Sequence, residues 1–442
     1  MIDPFRAALS AENRRHPMYN THMMRLLAVM VFLAMCDYAR GEFPAVDRLP
    51  DRVAAPDPLT MFDGSPVQSA AAWRARRRPE LVALFEWYMY GKAPVAPEIS
   101  ATVERTDDVL AGKARMKQVA IHFGPPGNER AGRINLLLFV PAKQQKAAPV
   151  LLGLNFRGNH MVLNIPAIQL PRLWVPSGPG VVENRATDEG RGLEASHWPL
   201  EKVIDRGYAV ATFYHGDVKL DRPTWDDGVP ALYFSAGQTA PEEHEWGTIA
   251  AWAWGLSRAA DYLVQDSDVD GARIAVFGHS RNGKTALLAG ALDERFAVVI
   301  PSQAGCGGTA PSRGTIGESV ERINTVFPHW FNDTFPQFNK QTQKLPFDQN
   351  CLMALVAPRP LLLTNATGDQ WANPGGQFEM LKRAEPVYAL LGAEGCAADA
   401  LPPENQLVNS RLGYFIRAGK HDMGEVEWST WLDFLDKHLA TR

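Results

Sequence analysis

The pattern of apolar and polar residues along the chain predicts alternating strands and helices. Apolar runs of strand length recur from residue 117 onward, and the later runs are continuous, as expected for central strands covered on both faces. The predicted strands cover residues 117–123, 133–140, 149–155, 208–214, 273–277, 297–301, 360–365 and 413–417. Helical patterns cover residues 70–90, 247–264 and 284–292. This order indicates a domain of the α/β class.

The stretch 274–290, IAVFGHSRNGKTALLAG, changes from an apolar run to a helical pattern at Ser280. A serine at such a turn is typical of a nucleophile elbow, which presents the hydroxyl at the carboxyl edge of a sheet beside backbone N–H groups. The usual pattern has glycine two residues before and two after the serine. Gly278 satisfies the first place, but Asn282 occupies the second and Gly283 follows it. The alternative is an ordinary strand-to-helix turn with a serine near the N-cap.

A serine hydrolase of this kind needs an acid and a histidine later in the chain, in that order. His421 lies in a short loop after the last predicted strand, where a general base is expected. Asp369 follows the preceding strand and is the best candidate for orienting the imidazole; an Asx-turn aspartate is the alternative. Of the other histidines beyond Ser280, His438 is expected on the surface and His329 in the pocket wall.

The elements around the elbow predict an α/β-hydrolase fold. Its mostly parallel central sheet would be flanked by helices in a three-layer sandwich. Long connections at residues 157–200 and 218–245 carry many Trp, Pro and Gly residues and are expected to wall the active site. Residues 41–65 are rich in Pro and Asp and predict an extended lead-in.

The composition adds limits on partners. With 45 basic and 49 acidic residues the formal net charge is −4, so no overall field favours nucleic acid or acidic membranes. The basic run RARRR at 74–78 is expected to be the solvated start of a helix. No Cys or His spacing resembles a zinc site, and one disulfide stays open among the cysteines Cys36, Cys306, Cys351 and Cys396.

The start of the chain predicts an export signal. About ten apolar residues within 24–36 follow positive charges, which is the length of a signal-peptide core and too short to span a bilayer. We expect residues 1–41 to be a signal peptide with its flank, and residues 42–442 to be one catalytic domain in the periplasm or medium. Lipoprotein anchoring at Cys36 fits less well because Met35 precedes it, and a retained N-terminal helix is the other alternative.

Short motifs follow one another in order from residue 77 to residue 421. They are RRPE at 77–80, YGK at 90–92, NFRGN at 155–159, GHSRNGK at 278–284, SQAGCGG at 302–308, VFPHWFN at 326–332, LPFD at 345–348, GDQW at 368–371 and KH at 420–421. In this order, and with the displaced glycine of the elbow, the chain resembles the glucuronoyl esterases of carbohydrate esterase family 15. The resemblance implies a serine esterase that cleaves the ester between (4-O-methyl)glucuronic acid on xylan and a lignin alcohol.

The resemblance also implies roles beside the nucleophile and the base. Arg281 matches an arginine that stabilises the oxyanion, while Lys284 and Glu318 match contacts to sugar hydroxyls. Trp371 matches an aromatic side chain that covers a ring face. The alternatives are a solvated helix charge for Lys284, a loop salt bridge for Glu318 and a core position for Trp371.

One position departs from the fungal members of the family, which place the triad glutamate where this chain has Gln303. Glutamine cannot supply the negative charge, whereas bacterial members often have an acid after a later strand, where Asp369 stands. Asp369 is therefore the expected acid, and Gln303 is kept as a candidate substrate contact. His279 and Asp422 replace the fungal cysteines beside the serine and histidine, which removes that disulfide.

The expected reaction is acyl transfer to serine followed by hydrolysis, without metal or cofactor. We expect a glucuronoxylan–lignin ester as the partner, no nucleic acid, no membrane span and a monomer. An acetyl or feruloyl xylan esterase is the alternative among enzymes. From a different class, the chain could be a non-catalytic carbohydrate-binding protein on a hydrolase scaffold.

Overall fold

The computed structural model describes residues 43–124 and 132–439, and the chain from Ala45 onward forms one compact unit. The predicted signal segment, residues 1–41, lies outside the described residues, so the division into a leader and a catalytic domain stays a prediction. None of the helices in the described ranges combines the length and the apolarity that crossing a bilayer requires.

The strands are numbered in chain order as β1 Ser100–Val109, β2 Ala114–Phe123, β3 Gly132–Pro141, β4 Ala148–Asn155, β5 Val181–Val182, β6 Arg185–Ala186, β7 Ala209–Tyr214, β8 Val269–His279, β9 Phe296–Ser302, β10 Leu361–Ala366 and β11 Leu412–Arg417. β5 and β6 pair with each other, and the other nine form one sheet in the order β1-β2-β3-β7-β4-β8-β9-β10-β11. Neighbours from β7 to β11 are parallel, whereas β1, β2 and β3 extend one edge in antiparallel pairs. The mostly parallel central sheet is therefore confirmed.

The helices are α1 Arg78–Phe85, α2 Leu200–Asp205, α3 Thr248–Leu263, α4 Arg281–Leu292, α5 Val320–Val326, α6 Gln349–Ala354, α7 Pro374–Leu390 and α8 Glu425–His438. On one face of the sheet α3 packs on α4, which lies against β8 and β9. On the other face Trp428 and Trp431 of α8 pack on Phe277 of β8. Successive strand residues point to opposite faces, so β8 serves both layers and the three-layer sandwich is confirmed.

The predicted strands are all present, with bounds that differ by a few residues. The helical pattern at 70–90 forms consecutive turns, including the wider π-helical turns Trp73–Arg77 and Glu86–Tyr90 on either side of α1. Among the longer elements, β1 and α7 were not predicted, and neither were the short elements β5, β6, α2, α5 and α6. Most side chains of β1 are exposed, so it has no apolar alternation, and α7 carries Pro386 in its interior.

The carboxyl ends of the parallel strands meet at one edge of the sheet, where ligands bind in open α/β sheets. The residues at these ends are Asn155, Tyr214, His279, Ser302, Ala366 and Arg417. The two long connections, 157–200 and 218–245, start just beyond two of these ends. The predicted active site is therefore expected at this edge of the sheet.

Cysteine pairing was left open by the sequence. Cys306, Cys351 and Cys396 are all buried and carry free thiols, so none of them forms a disulfide. Cys36 lies outside the described residues.

Candidate active site

Ser280 occupies a strained turn between β8 and α4. Its φ of 58° and ψ of −126° are uncommon for a residue with a side chain, and such strain gathers at functional sites. The turn is fixed because the Ser280 N–H donates to the carbonyl of Ser302 at 2.9 Å. A Cβ added at Gly278 would lie 2.0 Å from the carbonyl oxygen of Asn282, so only glycine fits there. This is the geometry of a nucleophile elbow.

The displaced glycine of the motif has a structural reason. A Cβ at Gly283 would lie 2.8 Å from the carbonyl oxygen of Ser302, so glycine is needed where α4 approaches β9. Asn282, one residue earlier, is buried and donates from Nδ2 to the carbonyl of Leu154 at 3.2 Å. Its Oδ1 lies 3.2 Å from His215 Nδ1. Asn282 therefore ties the elbow to β4 and to the loop after β7.

The structure brings His421 and Asp369 together next to the elbow. Nδ1 of His421 lies 2.6 Å from Oδ2 of Asp369, and the imidazole ring centroid is 4.5 Å from that of His279. The Asp369 side chain is only 4% exposed, whereas that of His421 is 42% exposed. A shielded carboxylate on Nδ1 fixes the tautomer, so Nε2 remains for proton transfer.

Gln303 lies at the end of β9 and holds the loop that carries the histidine. Its Nε2 donates to the Asp422 carbonyl at 2.6 Å, and the Asp422 N–H donates back to Oε1 at 3.1 Å. The side chain is buried, and both ends of the amide are committed to this clamp. This geometry does not favour the predicted substrate contact and gives Gln303 a positioning role.

Arg281 is held by a largely buried acidic residue, Asp221, that was not predicted from the sequence. Its Nη1 donates to Oδ2 of Asp221, and its guanidinium lies 4.9 Å from the ring centroid of Trp330. Oδ1 of Asp221 also accepts from the Trp330 indole at 2.7 Å and lies 2.9 Å from His329 Nε2. Burial would raise the pKa of Asp221, but the hydrogen bond from His329 and the charge of Arg281 outweigh it and lower that pKa well below its usual range.

Lys284, Glu318 and Trp371 form a second polar group beyond the elbow. Lys284 is buried, donates to the Ala304 carbonyl at 2.5 Å and has its pKa lowered by burial. Burial raises the pKa of Glu318, against the opposing charge of Lys284 and a hydrogen bond with the Trp371 side chain. Trp371 is 56% exposed, which excludes the alternative that it is a core residue.

A cavity of about 680 Å³ opens beside the elbow. Its walls come from the ends of β4 and β8, the loops after β4 and β7, and the segment after His421. The aromatic and apolar side chains on these walls are Leu154, Phe156, Pro176, Pro179, Leu193, Trp198, Phe277, Phe327 and Met423. Both long connections contribute, so they wall the site as predicted. Such a mixture of apolar walls and a few polar groups is typical of a pocket for an organic ligand.

Asp221 and the Gln303 clamp were missed as positioning groups. Asp221 lies in the connection 218–245, which was expected only to wall the site, and its partners are 60 to 109 residues away in the chain. His329 was expected in the pocket wall, and the structure uses it to bind Asp221. Within residues 43–124 and 132–439, no group of three or more His, Cys, Asp and Glu is arranged to hold a metal ion.

Comparison with known proteins agrees with this geometry. A family model described as glucuronyl esterase, fungi, matches residues 196–392. The carbohydrate esterase MZ0003 from an unknown prokaryotic organism is 47% identical over 87% of this chain and 89% of its own length. A promiscuous CE15 esterase from a marine bacterial metagenome superposes with a TM-score of 0.82 at 46% identity, covering 89% of this chain and 98% of its own. A glucuronoyl esterase from Solibacter usitatus gives a TM-score of 0.82 at 40% identity, covering 89% and 99%.

The serine elbow and the nearby carboxylate–imidazole pair on this sheet define an α/β-hydrolase of the carboxylic ester hydrolase class. At 47% identity over most of both chains, the relationship is also specific. The chain belongs to carbohydrate esterase family 15, the glucuronoyl esterases.

Proposed function

We propose that the protein hydrolyses the ester between the carboxyl group of (4-O-methyl)glucuronic acid on glucuronoxylan and an alcohol of lignin. Ser280 is the nucleophile, His421 the general base and Asp369 the acid of the triad. The observation that carries the proposal is the 2.6 Å contact between His421 and Asp369 beside the strained serine. The glucuronoyl esterase from Solibacter usitatus, 40% identical, supports the choice of a uronate ester.

The reaction proceeds in two steps. His421 Nε2 takes the Ser280 hydroxyl proton as Oγ bonds to the uronoyl carbon, and the proton then passes to the alkoxide as the ester C–O bond breaks. Water attacks the acyl-enzyme by the same route and releases the uronic acid. Asp369 holds the imidazole and stabilises its charged form, and Gln303 keeps the loop of His421 in place through Asp422.

The oxyanion forms next to the first residue of α4. The backbone N–H of Arg281 stands at the helix N-terminus, and the guanidinium meets the negative oxygen that exists only in the transition state. Asp221 and the ring of Trp330 restrict the guanidinium before substrate arrives, which lowers the cost of reorganising it.

The acyl and alcohol sides of the substrate meet different walls. Lys284 and Glu318 offer a donor and an acceptor to sugar hydroxyls, and the exposed indole of Trp371 offers a face to the ring. The cavity of about 680 Å³ has the aromatic and apolar walls that suit an aromatic alcohol. The protein therefore separates a hydroxyl-rich half of the ester from an apolar half.

The test compares hydrolysis of benzyl glucuronate, methyl glucuronate and an acetyl ester by the chain from Glu42 onward. Ser280→Ala is the paired variant, and circular dichroism checks that it is folded. We expect a preference for benzyl glucuronate that disappears in Ser280→Ala. Retained turnover in the pure variant would remove Ser280 as the nucleophile, and reaction with the acetyl ester alone would overturn the substrate.

A broader ester range is the second candidate, because the marine metagenome relative at 46% identity is described as promiscuous. The same assay decides it when acetylated xylan and feruloyl esters are included. The proposed location is the periplasm or the medium, reached through residues 1–41, and the proposed oligomeric state is a monomer. Protease protection in cells and light scattering of the purified chain test these two proposals.

A further inference from the structure

A second cavity, which we call the β3 cavity, lies at the same edge of the sheet on the side of the antiparallel strands. Its volume is about 370 Å³, and its walls come from β2, β3, the loop 169–173 and the segments after β7. None of the proposed triad, oxyanion or sugar-contact residues lines it. The β3 cavity is therefore separate from the site described above.

The β3 cavity contains a buried carboxylate, Asp217, which is 7% exposed. Its Oδ2 accepts from the backbone N–H of Asn135 at 2.8 Å and from Asn135 Nδ2 at 3.0 Å. In the part of the chain that the structure describes, Oδ1 has no donor and the carboxylate has no salt bridge. Burial raises the pKa of Asp217 to about 7. Because Oδ1 has no donor within the described ranges and is not among the fully buried atoms, it is open to the cavity and can accept a hydrogen bond from a ligand.

The polar wall around Asp217 is held in place before any ligand binds. Arg133 donates from Nε to Asn135 Oδ1 at 2.7 Å and from Nη2 to Glu104 Oε2 at 2.8 Å. Asn159 donates from Nδ2 to the Asn135 carbonyl at 2.7 Å. Asn135 is thus fixed on three sides, and it fixes Asp217 in turn. The lining holds two acidic side chains, Glu104 and Asp217, and two basic ones, Arg133 and Arg172, so it has no net charge that would attract a strongly charged ion.

Much of the remaining lining is apolar. The apolar side chains include Leu136, Leu170, Pro171, Leu173 and Val229, and Gln118, Gln169 and Tyr214 add further polar groups. A cavity lined by fixed amide and carboxyl groups together with aliphatic side chains suits a ring that carries hydroxyls at its edge and C–H groups on its faces. A neutral sugar unit has this chemistry.

We propose that the β3 cavity binds a neutral sugar unit of a polysaccharide. The β3 cavity and the cavity beside the elbow have no lining residue in common, but the segments 155–159, 171–176 and 214–221 contribute residues to each of them. The two cavities are therefore neighbours, as a polysaccharide that carries both a neutral sugar unit and a uronate ester requires. The proposal rests on the proposed function only for the choice of a xylan fragment as the probe.

The test is calorimetric titration of xylotriose into the Ser280→Ala chain, with and without substitutions in the β3 cavity. Asp217→Asn keeps the shape of the side chain. The carbonyl oxygen of the new amide must face the two Asn135 donors, so its NH₂ group takes the place of Oδ1, the acceptor that faces the cavity. Leu173→Trp adds bulk at the rim, where Leu173 is 41% exposed and substitution does not disturb the core. Leu401→Trp is the matched control, since Leu401 is 45% exposed and lines neither cavity.

We expect Leu173→Trp and Asp217→Asn to weaken xylotriose binding about tenfold or more, and Leu401→Trp to leave it unchanged. With Ser280 intact, Leu173→Trp should alter benzyl glucuronate hydrolysis less than about twofold. Absence of xylotriose binding to the parent at about 50 mM, or equal affinity in the parent and both cavity variants, would overturn the proposal. Failure of the chain with Ser280 intact to hydrolyse benzyl glucuronate would instead count against the proposed function and leave the titration with the Ser280→Ala chain valid.

Discussion

At the scale of single residues, the chemistry depends on which carboxylate the imidazole meets. Asp369 could be chosen from the sequence because the acid and the base each follow a strand that ends at the same edge of the sheet. The clamp between Gln303 and the Asp422 backbone could not be predicted from the sequence, since a glutamine after a strand gives no sign of whether its side chain binds substrate or backbone. Asp221 was hidden for a similar reason, because a long connection gives no sign of its distant partners.

Asp369→Asn should lower kcat for benzyl glucuronate about 10³- to 10⁴-fold, because an amide neither fixes the tautomer of His421 nor stabilises the imidazolium. Gln303→Ala should lower the free energy of unfolding by about 2 kcal/mol through its two lost hydrogen bonds, with a smaller effect on kcat. Steady-state kinetics measure kcat, and denaturant unfolding measures the free energy of unfolding. A larger loss of kcat in Gln303→Ala than in Asp369→Asn would mean that Asp369 is not the acid of the triad.

Asp221→Asn should reduce kcat about tenfold or more with little change in KM, since Arg281 loses the charge that holds it toward the oxyanion. Asp226→Asn, an exposed aspartate in the same loop, is the matched control. In an Arg281→Ala background Asp221→Asn should reduce kcat little further, because both changes remove the same interaction between the two side chains. Additive losses in the double variant would show that Asp221 acts independently of Arg281.

At the scale of elements, the elbow between β8 and α4 is so tightly packed that two of its positions accept only glycine. A Cβ at Gly278 would clash with the Asn282 carbonyl oxygen within the turn, and a Cβ at Gly283 would clash with the Ser302 carbonyl oxygen on the neighbouring strand. Strands and helices with strong apolar patterns were predicted correctly. β1 was missed because a mostly exposed strand is stabilised by pairing with β2 rather than by burial, and its pattern contains no trace of that pairing.

Gly278→Ala should destabilise the fold by about 3 kcal/mol and lower kcat, because the new methyl group would displace the Asn282 carbonyl and with it the serine. Gly375→Ala is a control within α7, where an added Cβ meets nothing within 4 Å. Its stability should stay within about 1 kcal/mol of the parent, on the stabilising side. Thermal unfolding and kinetics of both variants test this, and equal effects would contradict the steric account.

At the scale of the whole molecule, folding buries ionisable groups in places that no local pattern reveals. His160 is fully buried, and in the described part of the chain neither ring nitrogen has a hydrogen-bond partner. Burial lowers its pKa from 6.5 to about 4, with Arg191 adding to the effect. Such groups make the stability of the protein depend on pH even though the active site does not contain them.

His160→Leu should weaken the dependence of the protein's stability on pH. Below pH 6.5 His160 is protonated in the unfolded chain, but in the folded protein it stays neutral until about pH 4. The free energy of unfolding therefore falls as the pH falls from 6.5 to about 4. Between pH 7 and pH 5 the parent should lose about 2 kcal/mol more unfolding free energy than His160→Leu. Urea unfolding at the two pH values measures the difference, and parallel losses in both proteins would refute the assignment.

The three buried thiols have a practical consequence. Since Cys306, Cys351 and Cys396 are unpaired, the described fold requires no oxidising compartment, even for a chain proposed to work outside the cytoplasm. Production of residues 42–442, without the proposed leader, in a reducing bacterial cytosol should therefore give native enzyme without disulfide isomerases or refolding. Reducing agents in a biomass reactor should leave it equally undisturbed.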